Sequence, residues 1–181
     1  MGSNLSDIIR PATATDIPTL AKLSETTFVE TFGYRYSTAN LAAFIANSRS
    51  ENCYRPLLQD PNVKLWLAMS ADAEPLGYVV AGACKLPIVN REARAGEIRE
   101  LYVRTVHQQR KLGSQLLNHA IDWLNSQKFQ PLYIGVWSEN IAAQRLYARF
   151  GFEKIGEYDF LVGQHIDREF ILKRPLSTTT Q

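Results

Sequence analysis

From residue 63 onward, the chain alternates between short apolar runs typical of strands and segments whose apolar residues recur at helical intervals. In chain order these are the strands 63–69, 76–84 and 97–103, the helix 112–124, the strand 131–137, the helix 140–150 and the strands 156–162 and 166–172. A strand–helix–strand unit needs a parallel crossover, whereas a hairpin pairs its strands antiparallel. The pattern therefore predicts an α/β fold with a mixed, mostly antiparallel sheet.

The first part of the chain adds one short strand and two or three helices. In chain order these are a strand at Ile8 and Ile9, a helix from near Pro18 to near Gly33, a helix over 38–47 and a helical piece around Tyr54 that ends before Pro61. The whole chain is then predicted to form a sheet of about seven strands flanked by helices.

Composition indicates a single globular domain, expected over residues 1–175, with a flexible tail over 176–181. Hydrophobic residues make up 45% of the 181 residues and charged residues 21%, which argues against a disordered chain. Lys and Arg number 20 and Asp and Glu 18, so the net charge is +2. So small an excess gives no reason to expect a nucleic acid or a membrane as a partner.

Cysteine and histidine are too sparse for a disulfide scaffold or a zinc site. The chain has two cysteines, Cys53 and Cys84, and three scattered histidines without metal-ligand spacing, so no metal is expected. Residues 1–10 do not have the pattern of a signal peptide, and no run of 18 apolar residues predicts a membrane span. We therefore expect a soluble cytoplasmic protein.

A basic turn follows the strand that ends in Leu101-Tyr102-Val103 and leads into the next helix. The N–H groups at a helix N-terminus are unpaired and carry about half a positive charge, so they attract phosphate. Arg104, Arg110 and Lys111 add cations, and Gly113 lets a ligand approach the backbone. From these residues alone, the turn is either a phosphate-binding site or a solvated basic loop.

The predicted helix 140–150 places Asn140 and Tyr147 two turns apart, about 10 Å along one face. Its apolar stripe consists of other residues, and the small Ala143 lies one turn before the tyrosine, so space remains beside the ring. Tyr147 is then either a functional phenol or an ordinary side chain at the edge of the core.

Both segments resemble the two signatures of the GCN5-related N-acetyltransferase superfamily, in the order that the family shows. The first is EIRELYVRTVHQQRKLGSQLL over 97–117, in which Gln108 and Gly113 match the family pattern and Lys111 replaces its usual first glycine. The second is Asn-x-x-Ala-x-x-Leu-Tyr-x-x-x-Gly-Phe over 140–152. The resemblance implies the acyltransferase fold of that superfamily and acetyl-CoA as cosubstrate.

The resemblance also implies roles for individual residues. The backbone of Leu101, Tyr102 and Val103 would pair with the pantetheine arm of the coenzyme. Asn140 would contact the coenzyme, and Tyr147 would protonate the departing thiolate. The turn would bind the pyrophosphate, through the residues Gln108, Gln109, Arg110, Lys111, Leu112, Gly113 and Ser114.

Acetyl transfer to an amine requires a neutral nitrogen, which costs an alkyl amine with a pKa of about 10.4 roughly 4.6 kcal/mol at pH 7. A base helps to meet this cost. The candidates are Glu97, which the resemblance slightly favours, and Glu100. Because they lie three residues apart, they face opposite sides of a regular strand, so only one enters the cleft unless a bulge intervenes. Either is alternatively a rim carboxylate paired with a nearby arginine.

Segments 27–33, 134–140 and 161–164 are similar to a bacterial branch of the superfamily that acetylates spermidine and spermine. A polyamine favours spaced carboxylates and aromatic faces. The candidates for this recognition are Glu25, Glu30, Tyr34 and Tyr36. The expected acceptor is a primary amine, with polyamines first. The alternatives are a protein or peptide amine, and a coenzyme-binding sensor without turnover. The resemblance also allows a homodimer.

Overall fold

The computed structural model describes residues 7–175. They fold around one seven-stranded sheet in the order β1-β2-β3-β4-β5-β7-β6. The strands are β1 (Ile8–Pro11), β2 (Val63–Met69), β3 (Pro75–Ala83), β4 (Gly96–Val103), β5 (Leu132–Trp137), β6 (Glu153–Val162) and β7 (His165–Arg174). The helices are α1 (Ile17–Phe32), α2 (Thr38–Ser48), α3 (Glu51–Gln59), α4 (Leu112–Ser126) and α5 (Ile141–Arg149). The expected tail, 176–181, lies outside the described residues.

Neighbouring strands pair antiparallel except β4 and β5, which run parallel. Helix α4 connects these two strands and forms the crossover that parallel pairing requires. The predicted α/β class, with a mixed and mostly antiparallel sheet of seven strands flanked by helices, is thus confirmed.

The last hairpin differs most from its prediction. β6 begins at Glu153 rather than at residue 156, because a bulge interrupts the pairing with β7 between Lys154 and Gly156. The extra residue, Ile155, is 51% exposed. A bulge breaks the alternation of inward and outward side chains, so the sequence pattern becomes regular only after it.

Helices cover both faces of the sheet. On one face, α4 and α5 bury a large apolar cluster that includes Leu116, Ile134 and Tyr147. On the other face, α1 and α3 pack through Leu20 and Tyr54. Within residues 7–175, no helix is both long and apolar enough to cross a membrane.

The parallel pair β4–β5 is short. The two strands pair over Gly96–Ile98 and Leu132–Ile134 and then separate. Beyond that point, β4 stays paired with β3 and β5 stays paired with β7, on the sides that face away from each other. Strand pairing therefore leaves the N–H and C=O groups along the two facing edges unused, although the Val103 carbonyl accepts a hydrogen bond from the Gln108 side chain at 3.2 Å.

A bulge in β4 lies where the gap begins. Val80 of β3 is paired with Glu100 and the next residue, Ala81, with Ile98, so Arg99 is the extra residue. Because the bulge adds one residue, Glu97 and Glu100 project from the same face of the sheet. A regular strand would place the two glutamates on opposite faces, and the bulge is the exception that the sequence analysis allowed.

Candidate active site

A cleft of about 470 Å³ occupies the gap between β4 and β5. Of the expected site residues, it is lined by Glu100, Leu101, Tyr102, Val103, Gln108, Gln109, Lys111, Leu112, Gly113, Ser114, Asn140 and Tyr147. Glu97 and Arg110 are not among its lining residues. One cavity therefore brings together most of the expected coenzyme-binding turn, the end of β4 and the expected acid.

The turn before α4 has an unusual backbone. Lys111, at the N-cap position, has φ 64° and ψ 5°, and Gln109 has φ 64°. This left-handed region costs a residue with a β carbon roughly 1–2 kcal/mol and costs glycine little. Lys111 thus adopts the conformation for which a glycine is usual, and the start of α4 still faces the cleft.

Gly113 lies in the first turn of α4 and lines the cleft. A β carbon on Gly113 would meet Leu146 Cδ2 at 3.6 Å, which is ordinary van der Waals contact. Packing of the described residues therefore does not require a glycine at this position. What the glycine does provide is close access to the unpaired N–H groups of the helix start.

Two of the three cations expected to attract phosphate form ion pairs within the protein. The Arg110 guanidinium lies 2.9 Å from the Asp7 carboxylate. Arg104 donates to Glu30 at 2.8 Å, and the backbone N–H of Thr105 donates to the same carboxylate at 2.9 Å. Arg104 and Glu30 therefore fasten α1 to the turn, and Lys111 is the residue of these three that lines the cleft.

Helix α5 presents both of its signature residues to the cleft. The Asn140 side chain accepts a hydrogen bond from the N–H of Ala143 at 3.1 Å and so caps the helix. Tyr147 is 6% exposed and packs edge-on against Phe152. Burial raises the pKa of the Tyr147 phenol well above its usual range, so the phenol keeps its proton at neutral pH.

The two glutamates of β4 have different surroundings. Oε2 of Glu100 accepts hydrogen bonds from Tyr54 at 2.9 Å and Tyr78 at 2.7 Å, and it lies 2.6 Å from the buried Arg49 guanidinium. Glu97 is 7% exposed and accepts the backbone N–H of Lys85 at 2.6 Å. Burial raises the pKa of Glu97. Glu100 lines the cleft as part of an ion-pair network, whereas Glu97 is buried and does not line it.

Glu169 of β7 is a cleft residue that the sequence reasoning missed. It lies opposite Trp137 of β5 and lines the cleft, and the Tyr158 hydroxyl donates to its carboxylate. Burial raises the pKa of Glu169 to about 7, an effect that the Tyr158 hydrogen bond opposes and the Asp167 carboxylate reinforces. The signal in the sequence is weak, because acidic residues alternating along a strand also occur on solvated faces.

The comparison with known families decides the class of protein. A family model described as acetyltransferase (GNAT) family matches residues 25–152, which include the cleft turn and α5. The chain belongs to the GNAT acetyltransferase family. It is an N-acetyltransferase, and its family uses acetyl-CoA as the acetyl donor.

Relatives of this GNAT acetyltransferase cover almost its whole length. An uncharacterized N-acetyltransferase from the pepI 3′ region of Lactobacillus delbrueckii subsp. lactis is 27% identical over 161 residues, covering 89% of this chain and 92% of the relative. PaiA N-acetyltransferase from Thermoplasma acidophilum, solved in complex with coenzyme A, has a TM-score of 0.74 at 19% identity, covering 94% of this chain and 99% of that one. The ribosomal-protein-alanine N-acetyltransferase from Brucella melitensis has a TM-score of 0.66 at 20% identity, covering 93% and 99%. At these identities the solved structures show a shared fold.

The four residues expected to recognise the acceptor amine lie outside the cleft, where three of them have partners within the protein and one is exposed. Glu30 binds the turn through Arg104, the Tyr36 hydroxyl donates to Asp167, and Tyr34 is 78% exposed. Glu25 forms an ion pair with Lys22 at 3.2 Å. None of the four expected residues is among those that line the cleft.

Aromatic side chains from three elements line the cleft instead. Phe32 at the end of α1 packs edge-on against Trp137, with ring centroids 5.8 Å apart, and against Tyr102 at 6.4 Å. The Arg35 guanidinium lies over the Trp137 ring, 3.9 Å from its centroid. The end of the cleft beside α1 is therefore aromatic, and Glu169 supplies a carboxylate there.

Proposed function

We propose that this acetyltransferase transfers the acetyl group of acetyl-CoA directly to a primary amine that enters the cleft beside α1. The acceptor to be tested first is a polyamine such as spermidine. The observation that carries the proposal is what lines the cleft between β4 and β5. The helix-start turn and Tyr147 line it, and so do Phe32, Trp137 and Glu169.

The residues present fit the coenzyme. Its pyrophosphate would bind at the start of α4, where unpaired N–H groups, Gly113 and the Lys111 side chain line the cleft. Its pantetheine amides would pair with the free edge of β4, since the backbone of Leu101–Val103 is not paired with β5. Asn140 would contact the coenzyme while it caps α5.

Tyr147 is proposed as the acid that protonates the leaving sulfur. Burial holds its pKa above the usual range, so the proton is present at neutral pH. A thiolate in the same buried cleft also has a raised pKa, because burial disfavours every charged form. The thiolate in the cleft would therefore accept a proton from the phenol more readily than an exposed thiolate would.

A primary amine suits the opposite end of the cleft. Aromatic faces attract cations, as the Arg35 guanidinium over the Trp137 ring illustrates, and Phe32 and Tyr102 add further rings at this end of the cleft. Glu169 adds a carboxylate where an amine must lose its proton. A polyamine would place its reacting nitrogen near Glu169 and its remaining ammonium groups toward the mouth of the cleft.

The test is thiol release from acetyl-CoA with a panel of acceptors. The panel contains spermidine, spermine, simple diamines, amino acids and peptides with free N-termini, and coenzyme binding is measured separately by calorimetry. We expect acceptor-dependent release with primary amines, highest with polyamines. Greater turnover of peptides would favour a protein N-acetyltransferase. Coenzyme binding without turnover of any acceptor would contradict the proposal and favour a sensor.

A further inference from the structure

We infer that Glu169 of β7 is the base that accepts a proton from the acceptor amine, an inference that rests on the proposed function. Neither glutamate of β4 is placed as well for this task. Glu97 does not line the cleft, and Oε2 of Glu100 already meets Tyr54, Tyr78 and Arg49. Glu169 lines the cleft together with Tyr147.

The carboxylate of Glu169 accepts one hydrogen bond and lies in space that the absence of a side chain on Gly135 leaves open. The Tyr158 hydroxyl, on the adjacent strand β6, donates a hydrogen bond to it. Gly135 of β5 makes room for this pair, because a β carbon there would lie 2.6 Å from the Tyr158 hydroxyl oxygen and 3.0 Å from Oε2 of Glu169. A base must be aimed at the proton that it removes, and these contacts restrict where the carboxylate can point.

Charged and titratable groups face Glu169 from several elements. They are Asp167 on β7, Tyr158 on β6, Glu97 and Tyr102 on β4, Tyr147 on α5 and Arg49 after α2. Burial makes the largest contribution and raises the pKa of Glu169. Asp167 and Glu97 raise it further as like charges, whereas Tyr158 and Arg49 lower it, and the result is about 7. A base in this range is about half ionised at neutral pH, so it can both accept and release a proton.

Every proton and bond in the acetyl transfer can be assigned to the amine, the thioester, Glu169, Tyr147 and solvent. The Glu169 carboxylate takes a proton from the acceptor ammonium, and the freed nitrogen lone pair forms the bond to the acetyl carbonyl carbon. As the carbon–sulfur bond breaks, the sulfur takes the Tyr147 proton, and the second proton lost by the nitrogen restores the phenol through solvent. Glu169 then releases its proton to solvent. The products are the amide, the thiol and one proton.

The first test is Glu169→Gln, with kcat/KM for spermidine measured from pH 6 to 9. For the wild-type enzyme we expect a rise with an inflection near pH 7. In the variant the inflection should disappear and kcat/KM should fall about 10²- to 10³-fold at pH 7.5. Coenzyme affinity should stay unchanged. Independently of activity, an NMR titration of carboxyl-labelled glutamate should lose one resonance that titrates near pH 7.

Two further variants separate a catalytic role from a structural one. Glu97→Gln removes a like charge and should move the inflection to lower pH, whereas Tyr158→Phe removes a stabilising donor and should move it to higher pH. General damage to the fold would not shift the profile in opposite directions. These variants also keep the inference testable if Glu169→Gln does not fold.

The outcomes distinguish the inference from the proposed function. An active enzyme whose inflection survives in Glu169→Gln but vanishes in Glu97→Gln would overturn the inference and identify Glu97 as the base. A wild-type enzyme that binds coenzyme but acetylates no amine would overturn the proposed function, and the inference with it.

Discussion

Oε2 of Glu169 lies 3.0 Å from the position that a β carbon would take on Gly135. The same β carbon would lie 2.6 Å from the Tyr158 hydroxyl oxygen, so Gly135→Ala must displace one of the two groups. We expect the variant to lose about tenfold or more in kcat/KM, because the carboxylate is no longer held toward the cleft. Overpacking should also lower the free energy of unfolding by about 1–3 kcal/mol. Steady-state kinetics and denaturant titration measure the two effects.

Gly156→Ala is the matched control for that substitution. Gly156 lies on the edge strand β6 of the same sheet, and its added β carbon would meet no described atom within 4 Å. Kinetics and stability should stay near the wild-type values. Equal losses in both variants would show that the cleft does not depend on the space at Gly135.

Tyr147→Phe tests the proposed acid. The hydroxyl is removed while the ring, which is 6% exposed and packs against Phe152, keeps its place in the core. We expect kcat to fall about 10²-fold, with coenzyme affinity and thermal stability little changed. A variant with full kcat would contradict the assignment of the proton donor.

Two substitutions at Lys111 distinguish the effect of its left-handed backbone conformation from the effect of its positive charge. Lys111→Gly should raise the free energy of unfolding by about 1 kcal/mol, because glycine adopts φ 64° without steric cost. Lys111→Gln removes the charge but keeps the β carbon, so it should bring no such gain. Both variants should bind coenzyme about threefold to tenfold more weakly at low salt, since each loses a cation beside the expected pyrophosphate.

Calorimetric titration with coenzyme A at two ionic strengths measures the expected loss of coenzyme affinity in the two Lys111 variants. The difference between wild type and variants should shrink at high salt, where surface charges are screened. Tighter binding by Lys111→Gly than by the wild type would show that the lysine serves only as a poor substitute for glycine.

The raised pKa of Glu169 also predicts how stability depends on pH. Its pKa is about 7 in the folded protein against 4.5 for an ordinary glutamate, so folding favours the protonated form. Relative to Glu169→Gln, the wild type should therefore lose stability as the pH rises from about 4.5 to 7 and lose no more above that. The total difference is about 3 kcal/mol. Denaturant titrations of both proteins at pH 5, 7 and 8 measure it.

Arg49 and Glu100 form a buried ion pair with a nitrogen–oxygen distance of 2.6 Å. Arg49→Met should cost about 3–5 kcal/mol of stability, because it leaves the Glu100 carboxylate without its counter-charge. The double variant Arg49→Met/Glu100→Gln should recover part of that loss. Thermal unfolding of both variants measures the loss of stability and its partial recovery. A single variant as stable as wild type would show that the pair is not needed to hold β4.

The order of helices and strands could be predicted from the sequence because the hydrophobic spacing changes sharply at each boundary. β2 matches its predicted bounds, and Asn140 caps α5 where the predicted helix begins. The bulges could not be predicted. An extra residue such as Arg99 or Ile155 is defined by how the neighbouring strand pairs with it, and a single strand does not contain that information.

The residues of the candidate site could be predicted where they lie in one contiguous segment of the sequence. They could not be predicted where their contacts join residues that are far apart in the sequence. The turn from Gln108 to Ser114 and the phenol of Tyr147 were expected in one site because their segments resemble the two family signatures, and apart from Arg110 these residues line the cleft. The pairing of Arg110 with Asp7 joins residues about a hundred positions apart and gives no local signal. The same holds for Glu169, whose surroundings come from β4, β5 and β6.

The short parallel pairing of β4 and β5 has an evolutionary consequence. In the proposed complex, the donor arm binds main-chain atoms on the edge of β4, and every amino acid except proline supplies the same N–H and C=O groups. Side chains such as Phe32 and Trp137, which line the other end of the cleft, supply none of those main-chain contacts. A lineage with this scaffold can therefore exchange one acceptor for another by a few substitutions while its use of the donor stays intact.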